Sequence, residues 1–358
     1  MRHTLSDQAV QHAGSSPDEW GRRLSDAIRA ALTAGDLGSA RRLAREGDGQ
    51  ARSLEKEYAL MYRGLGITIR VLLRLLAELP LRGALGILLR RFEADTMALM
   101  GRIYTSPESR RALDGLPALL DAISGPDARA ELGRTARLLD AAEEVFGREQ
   151  TRLAGDAVRA MEAGDASRAR ILVDEKEQAQ YVPLHDRLIR FMAEVFGHVL
   201  GEFGPAELLR FHRATAEGQR QGFEKWDRLA PAEFARVTAF LLKQHMGQVR
   251  VREDEEKFIV EQAPCGSGGR LRLAGAYSGP EPLPFVEERG ALTLGQERFP
   301  VYCSHCPIWN GLATVEWFGR PHWVFDDPAR PDGSCTLHVY KRRDGAPAEY
   351  LRRLASSP

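Results

Sequence analysis

The sequence predicts an α+β protein in which a duplicated all-α helical bundle is followed by a small antiparallel-sheet domain. Three observations carry this expectation. Residues 17 to 247 are rich in Ala, Leu, Arg and Glu, with apolar residues three and four apart, the period of an amphipathic helix. Within that stretch Asp26-Ala-Ile-Arg-Ala-Ala-Leu-Thr-Ala-Gly-Asp36 is echoed by Asp156-Ala-Val-Arg-Ala-Met-Glu-Ala-Gly-Asp165. Beyond Gly247 glycines, prolines and aromatics take over, separating short β-type runs, and all four cysteines fall there.

Taken in order, residues 1–16 are polar and aperiodic and read as a disordered lead. Residues 17–125 form the first helical repeat, and 126–247 the second together with a connecting helix. In each copy a helix ends at a glycine, Gly35 or Gly164, able to take a left-handed backbone, and the next aspartate, Asp36 or Asp165, caps a second helix. Each hairpin leads to a long apolar helix, 58–78 or 185–202, followed by Pro80 or Pro205. Ser106-Pro107-Glu108 supplies a cap, a proline at the first helical position and an early acid, and Ser124-Gly125-Pro126-Asp127 ends one helix and opens another. The Gly-Asp turn resembles those of tetratricopeptide-type repeats, but a tandem 34-residue period is absent, so peptide binding is not carried over. Residues 248–358 form the cysteine-containing α+β domain. Strands are expected at 248–252 and 257–262 around the acidic turn 253–256, then at 270–273, 299–302, 322–325 and 335–341, with a short helix at 308–318.

Charge narrows the partners. Lys and Arg number 50 and Asp and Glu number 50, for a net charge of zero. The neutrality survives division, because the part after Gly247 carries 14 basic and 15 acidic residues. With no basic arm or face there is no electrostatic reason for nucleic acid as a partner. The most apolar stretch, 64–89, is interrupted by Arg70, Arg74, Glu78 and Arg82, so a membrane span is not expected. The N-terminus lacks the apolar core of a secretory signal, and the expected location is cytoplasmic. The sequence leaves the oligomeric state unknown.

In a reducing compartment, clustered cysteines are metal ligands or reactive thiols more often than disulfides. Cys303-Ser-His-Cys306 has the spacing of a metal knuckle; Cys265 lies in a Pro-Cys-Gly-Ser-Gly-Gly loop, and Cys335 opens the last strand. The leading expectation is one zinc shared by Cys265, Cys303, Cys306 and Cys335, making residues 248–358 a small antiparallel-sheet zinc domain. Three cysteines completed by His305, His322 or His338 form a second arrangement, and small buried hydrophobes a third. If Cys265 is not a ligand, its glycine-rich loop presents backbone N–H groups around the sulfur and makes it the candidate catalytic nucleophile. The loop is not a phosphate cradle, since no Lys-Ser/Thr follows it.

Two further patterns invite a bland reading. Asp186, Arg190, Glu194, His198 and Glu202 recur every fourth residue, which allows a carboxylate-histidine metal site but reads more simply as a solvated salt-bridge face. Arg70 and Arg74 offer anion binding or, more simply, arginines reaching water. Tyr302, Trp309, Trp317, Trp323 and Tyr340 crowd the knuckle, either as core or as the walls of a small-molecule pocket.

The segments Pro-Cys-Gly-Ser-Gly-Gly-Arg-Leu, Tyr-Cys-Ser-His-Cys, Val-Glu-Trp-Phe-Gly-Arg-Pro-His-Trp-Val and Cys-Thr-Leu-His-Val-Tyr-Lys together resemble an uncharacterised family of bacterial proteins, best over residues 255–353. That resemblance implies no activity. The C-terminal Asp-Gly-Ser-Cys followed by a strand is also loosely similar to vinyl-reductase-type ligand sensor domains, which implies zinc held by cysteines and ligand sensing. Two functional expectations follow. One is a zinc enzyme that hydrolyses or cleaves a carbon-heteroatom bond in a small metabolite, with Cys265 or a zinc-bound water as attacker. The other is a non-catalytic small-molecule-binding or sensor protein stapled by a structural four-cysteine zinc.

Overall fold

The computed structural model describes residues 16–80, 83–123, 128–326 and 328–355. The chain forms two compact units: residues 23–191, and the segment up to Arg22 joined with everything from Met192 onward. The protein is α+β, mostly helical with a small antiparallel sheet near the C-terminus. The expected lead, Ser16 apart, and the expected break at Ser124–Asp127 lie outside the described residues.

In the helical unit, the 35-residue helix Ala128–Glu162 is the element on which Ala59–Glu78, Gly83–Ile103 and Pro107–Asp121 pack. Leu76, Leu89, Phe92, Met100, Leu138 and Leu153 are fully buried along these contacts, each stabilising the fold by ~1.5–3 kcal/mol. Stacked rings join segments distant in sequence: Tyr58 on Tyr181 and Tyr62 on Phe146, each with centroids 4.1 Å apart, and Phe92 on Phe191 at 3.8 Å. Ser106 caps as its sequence requires, its Oγ accepting from the Ser109 N–H at 3.2 Å with Pro107 opening the helix.

The two Gly-Asp turns have the same geometry. Gly35 and Gly164 sit at φ +74° and +81°, and Asp36 and Asp165 accept from the Ser39 and Arg168 N–H at 2.9 and 2.8 Å. Helix Leu24–Thr33 packs on its partner Leu37–Glu46 and also on Ala166–Asp174; Leu37–Glu46 packs in turn on Ala128–Glu162. The first helix of each hairpin thus meets the second helix of the other. The second hairpin then departs from the first: it runs into a π-helical turn, Glu175–Tyr181, that continues as Val182–Glu217.

In the other unit, strands β1 (Val249–Glu253), β2 (Lys257–Gln262), β5 (Val324–Asp326) and β6 (Cys335–Tyr340) form an antiparallel sheet in the order β1-β2-β6-β5. A two-stranded ribbon pairs β3 (Phe285–Val286) with β4 (Phe299–Pro300). The register aligns Val251, Val260, Leu337 and Phe325 in one row across the main sheet, all 4% exposed or less. Helix Pro231–Gln244 lies on this sheet, and Phe234, Ala239, Trp323, Tyr350 and Leu354 complete the core with the ring of Trp20. Because side chains alternate across a strand, Cys335 shares the face of Leu337 and Val339 and points toward the core.

Two local expectations are corrected. Arg270-Leu-Arg-Leu273 alternates like a strand but forms the helix Gly268–Leu273. Its neighbour in sequence, β2, is already paired on both sides, and the alternation does not track burial: Leu271 is buried while Leu273 is 58% exposed. The strand expected at 299–302 stops at Pro300, because Val301–Ser304 turns into a short 3-10 helix that opens the knuckle.

Candidate metal centre

The knuckle begins where that 3-10 helix places Cys303, and the turn continues through Cys306 into the π-helical segment Ile308–Leu312. The loop after β2 brings Cys265 alongside the turn before β6: the Cys265 N–H donates to the Gly333 carbonyl at 2.9 Å. Glycine is required where these segments meet. A Cβ on Gly269 would lie 2.1 Å from the Gly333 carbonyl oxygen, and one on Gly268 would lie 2.7 Å from the Cys303 Sγ.

The result is a cavity of about 30 Å³ lined by Cys265, Cys303, Cys306 and Cys335. Its other walls are Ser267, Gly268, Arg272, Phe299, Tyr302, Pro307, Phe325, Pro328 and Ala329. The four cysteines expected to act together therefore share one cavity, and none is in a disulfide. Among the described residues, no group of three or more His, Cys, Asp or Glu side chains is arranged to hold a metal ion. The histidines weighed as replacements do not line the cavity. His305 uses Nδ1 on the Tyr302 carbonyl at 2.5 Å and lies with Nε2 3.4 Å from the Cys306 Sγ; His322 faces Asp227; His338 lies 3.8 Å from Asp326.

Electrostatics sharpens the character of the site. Burial pushes the Cys303 thiol up to about 11 against the pull of Arg272, and burial with the neighbouring sulfurs raises Cys306 and Cys335 well above the usual thiol range. Thiolates at Cys303, Cys306 and Cys335 would need added positive charge, which is what a metal supplies. The protein contributes one cation. Arg272 Nη1 donates to the Cys303 Sγ at 3.1 Å, while its buried Nη2 has no hydrogen-bond partner among the described residues. Arg272 was not singled out in the sequence, because its approach depends on a helix where the alternation reads as a strand.

The remaining candidates fall to structural roles. Trp309, Trp323 and Tyr302 are buried, and Trp323 Nε1 donates to the Thr238 hydroxyl at 3.0 Å, as core rings do. Arg70 pairs with Asp140 at 2.6 Å and Glu143 at 3.4 Å, while Arg74 is exposed. The polar row on Val182–Glu217 is not the expected solvated face: Glu194 is buried and Asp186, Arg190, His198 and Glu202 are half-buried. That helix also breaks at Gly204, φ +83°, immediately before Pro205.

The helical unit holds a buried polar cluster that periodicity did not signal, because its members come from three separate segments. Glu177, on the π-helical turn, accepts from Ser25 and Tyr58 and pairs with Arg29 at 2.8 Å and Arg23 at 3.8 Å. Burial alone would raise this carboxyl, but the two guanidinium groups and the hydroxyl donors override it and hold it at about 2. Beside it the Ser25 N–H donates to Glu57 at 3.0 Å, and burial lowers the Lys176 ammonium to about 8, with Nζ 4.9 Å from the Tyr58 ring centre. Larger clefts in this unit, about 750 and 410 Å³, are lined by charged residues largely paired with one another, such as Arg63 with Glu143 and Arg134 with Glu93.

No protein-family model, no curated protein and no solved structure matches the chain. Among the described residues no helix is long and apolar enough to cross a membrane.

Proposed function

We propose that this protein is a thiolate metalloprotein in which Cys265, Cys303, Cys306 and Cys335 hold a metal that staples three segments of the C-terminal unit. The observation that carries the reading is the single cavity lined by all four cysteine residues, with Arg272 as the adjoining cation. Zinc is the single ion that an all-cysteine set takes up most simply, and with four protein ligands such a site is closed and structural. The protein is then a binding or sensor protein, and a small-molecule ligand must use another surface, since pockets for such ligands run to roughly 300–1,000 Å³. The enzymatic alternative, with Cys265 as nucleophile on a carbon-heteroatom bond, is less favoured, because Cys265 lines the same small cavity as the other thiols. We also read the two hairpins as an internal duplication, on the matching turns at Gly35 and Gly164, and assign the protein to the cytoplasm on its unpaired cysteines.

Metal analysis of protein purified under reducing, chelator-free conditions, combined with titration of thiols in the native state, tests the reading. The expected result is bound metal and no fast-reacting thiol. Metal-free protein whose four thiols all react would refute the centre, and bound metal with one fast-reacting cysteine at 265 would restore the enzyme.

A further inference from the structure

The buried cluster of the helical unit contains one charged group that the chain leaves without a hydrogen bond. Lys176 is 1% exposed, yet its Nζ has no hydrogen-bond partner among the described residues. The ring of Tyr58, its centre 4.9 Å away, covers one side of the ammonium, but a single ring does not occupy three N–H donors. Glu57 and Glu177 offset part of the cost of burial, which lowers the group only to about 8, so it still carries its proton at neutral pH. A buried charge is costly unless it is hydrogen-bonded as well as compensated.

Two amide atoms beside it are in the same condition. Gln150, on Ala128–Glu162, donates through Nε2 to the Lys176 carbonyl at 3.3 Å and to Gln180 Oε1 at 3.4 Å. Lys176 and Gln180, four residues apart, both belong to the π-helical turn Glu175–Tyr181. These contacts fix how both amides point. Turning Gln150 over would set its oxygen against two oxygens, and turning Gln180 over would set two NH2 groups against each other. Gln150 Oε1 and Gln180 Nε2 are therefore left over, without partners among the described residues, in side chains only 2% and 0% exposed.

We propose that the core of the helical unit binds internal water at Lys176, Gln150 and Gln180, where it accepts from the ammonium and the Gln180 amide and donates to Gln150 Oε1.

The donors and acceptors left over select this occupant. They comprise an ammonium, an amide NH2 and one carbonyl oxygen, and water both accepts and donates. An anion would accept from Lys176 and Gln180 but offer nothing to Gln150 Oε1, and it would meet the Glu57 and Glu177 charges that act on Lys176. A metal ion would be repelled by the ammonium itself. Internal water typically makes about three hydrogen bonds to buried polar groups that the chain leaves unsatisfied, which is the set present here.

The test counts long-lived internal water by oxygen-17 relaxation dispersion on the full chain and on Lys176→Met and Gln180→Leu, with circular dichroism establishing which variants fold. The expected result is at least one long-lived water fewer in a folded variant than in the unaltered protein. Equal counts in the unaltered protein and in every folded variant would overturn the inference. Should neither variant fold, a high-resolution crystal structure of the unaltered chain decides alone. An ordered water within hydrogen-bond distance of Lys176 Nζ supports the inference, and an ammonium contacted only by protein atoms would overturn it.

Discussion

The two units each bury a cluster of ionisable side chains, and they differ in where the compensating charge comes from. Around Glu177 the chain supplies its own partners: Arg29 and Arg23 for the charge, Ser25 and Tyr58 for the oxygen atoms. Around the four cysteines the neighbouring cation among the described residues is Arg272, and burial raises the Cys303, Cys306 and Cys335 thiols. A buried ionic group that is paired and hydrogen-bonded from within is explained by folding, whereas buried thiols favoured in the neutral form take on charge only with a metal. The cysteine cavity is thus the candidate for function, although the clefts of the helical unit are far larger.

Removing one member from each cluster breaks this comparison most directly. Cys303→Ser should lose the metal and destabilise the C-terminal unit by roughly 5 kcal/mol or more, because in such sites metal binding is part of the folding free energy. All five tryptophans, at 20, 226, 309, 317 and 323, lie in that unit, so tryptophan fluorescence follows it alone. Metal analysis with fluorescence-monitored denaturation checks the expectation; a variant that unfolds at the wild-type midpoint would contradict it. Glu177→Gln should cost about 3 kcal/mol, since Arg29 loses a buried partner, and should do so with no metal involved. Circular dichroism should report that loss while the tryptophan transition stays in place.

Acid separates the units by a smaller margin. Glu177 is held at about 2, below its unfolded value, so its contribution is complete above pH ~5 and is lost as the pH falls toward 2, at most ~3 kcal/mol in all. In the C-terminal unit burial holds His322 down to about 4 although Asp227 pulls the other way. The unfolded chain takes up that proton near pH ~6.5 and the folded one does not, so stability falls as the pH drops from 6.5 toward 4. The tryptophan-monitored midpoint should therefore decline first, between pH 6.5 and 5, where the contribution of Glu177 is still intact. Burial lowers His305 and His212 in the same unit as well, so a tryptophan midpoint that is flat over this interval would mean that these three histidines charge freely in the folded state.

How much of this was legible follows from the range of each signal. Local chemistry carried through: the Gly-Asp turns, the Ser106 cap and the β1–β2 hairpin each rest on a few neighbouring residues, and all formed where the sequence placed them. The cysteines that cluster in the sequence line one cavity, and whether they act together there is the proposal made above. What stayed hidden depends on partners far along the chain. The segment Gly268–Leu273 is helical where its alternation reads as a strand, and the position of Arg272 follows from that helix. The Glu177 cluster gathers residues more than 100 positions apart, with no periodicity to mark them.

The smallest expected effect tests whether the two hairpins are equivalent. Gly35 and Gly164 both have positive φ, and a Cβ added at either meets nothing within 4 Å, so replacement by alanine has only a backbone cost. Holding an L-residue in the left-handed region costs ~1–2 kcal/mol, so Gly35→Ala and Gly164→Ala should each destabilise the helical unit by about that amount and by the same amount as each other. Asp36→Ala and Asp165→Ala should likewise match, at ~1 kcal/mol each, through loss of the bonds to Ser39 and Arg168. Equal losses by circular-dichroism denaturation would mean that the two turns are one device used twice. A marked inequality would mean that the π-helical departure after Ala166–Asp174 has already changed what the second turn supports, so that matching geometry conceals different energetics.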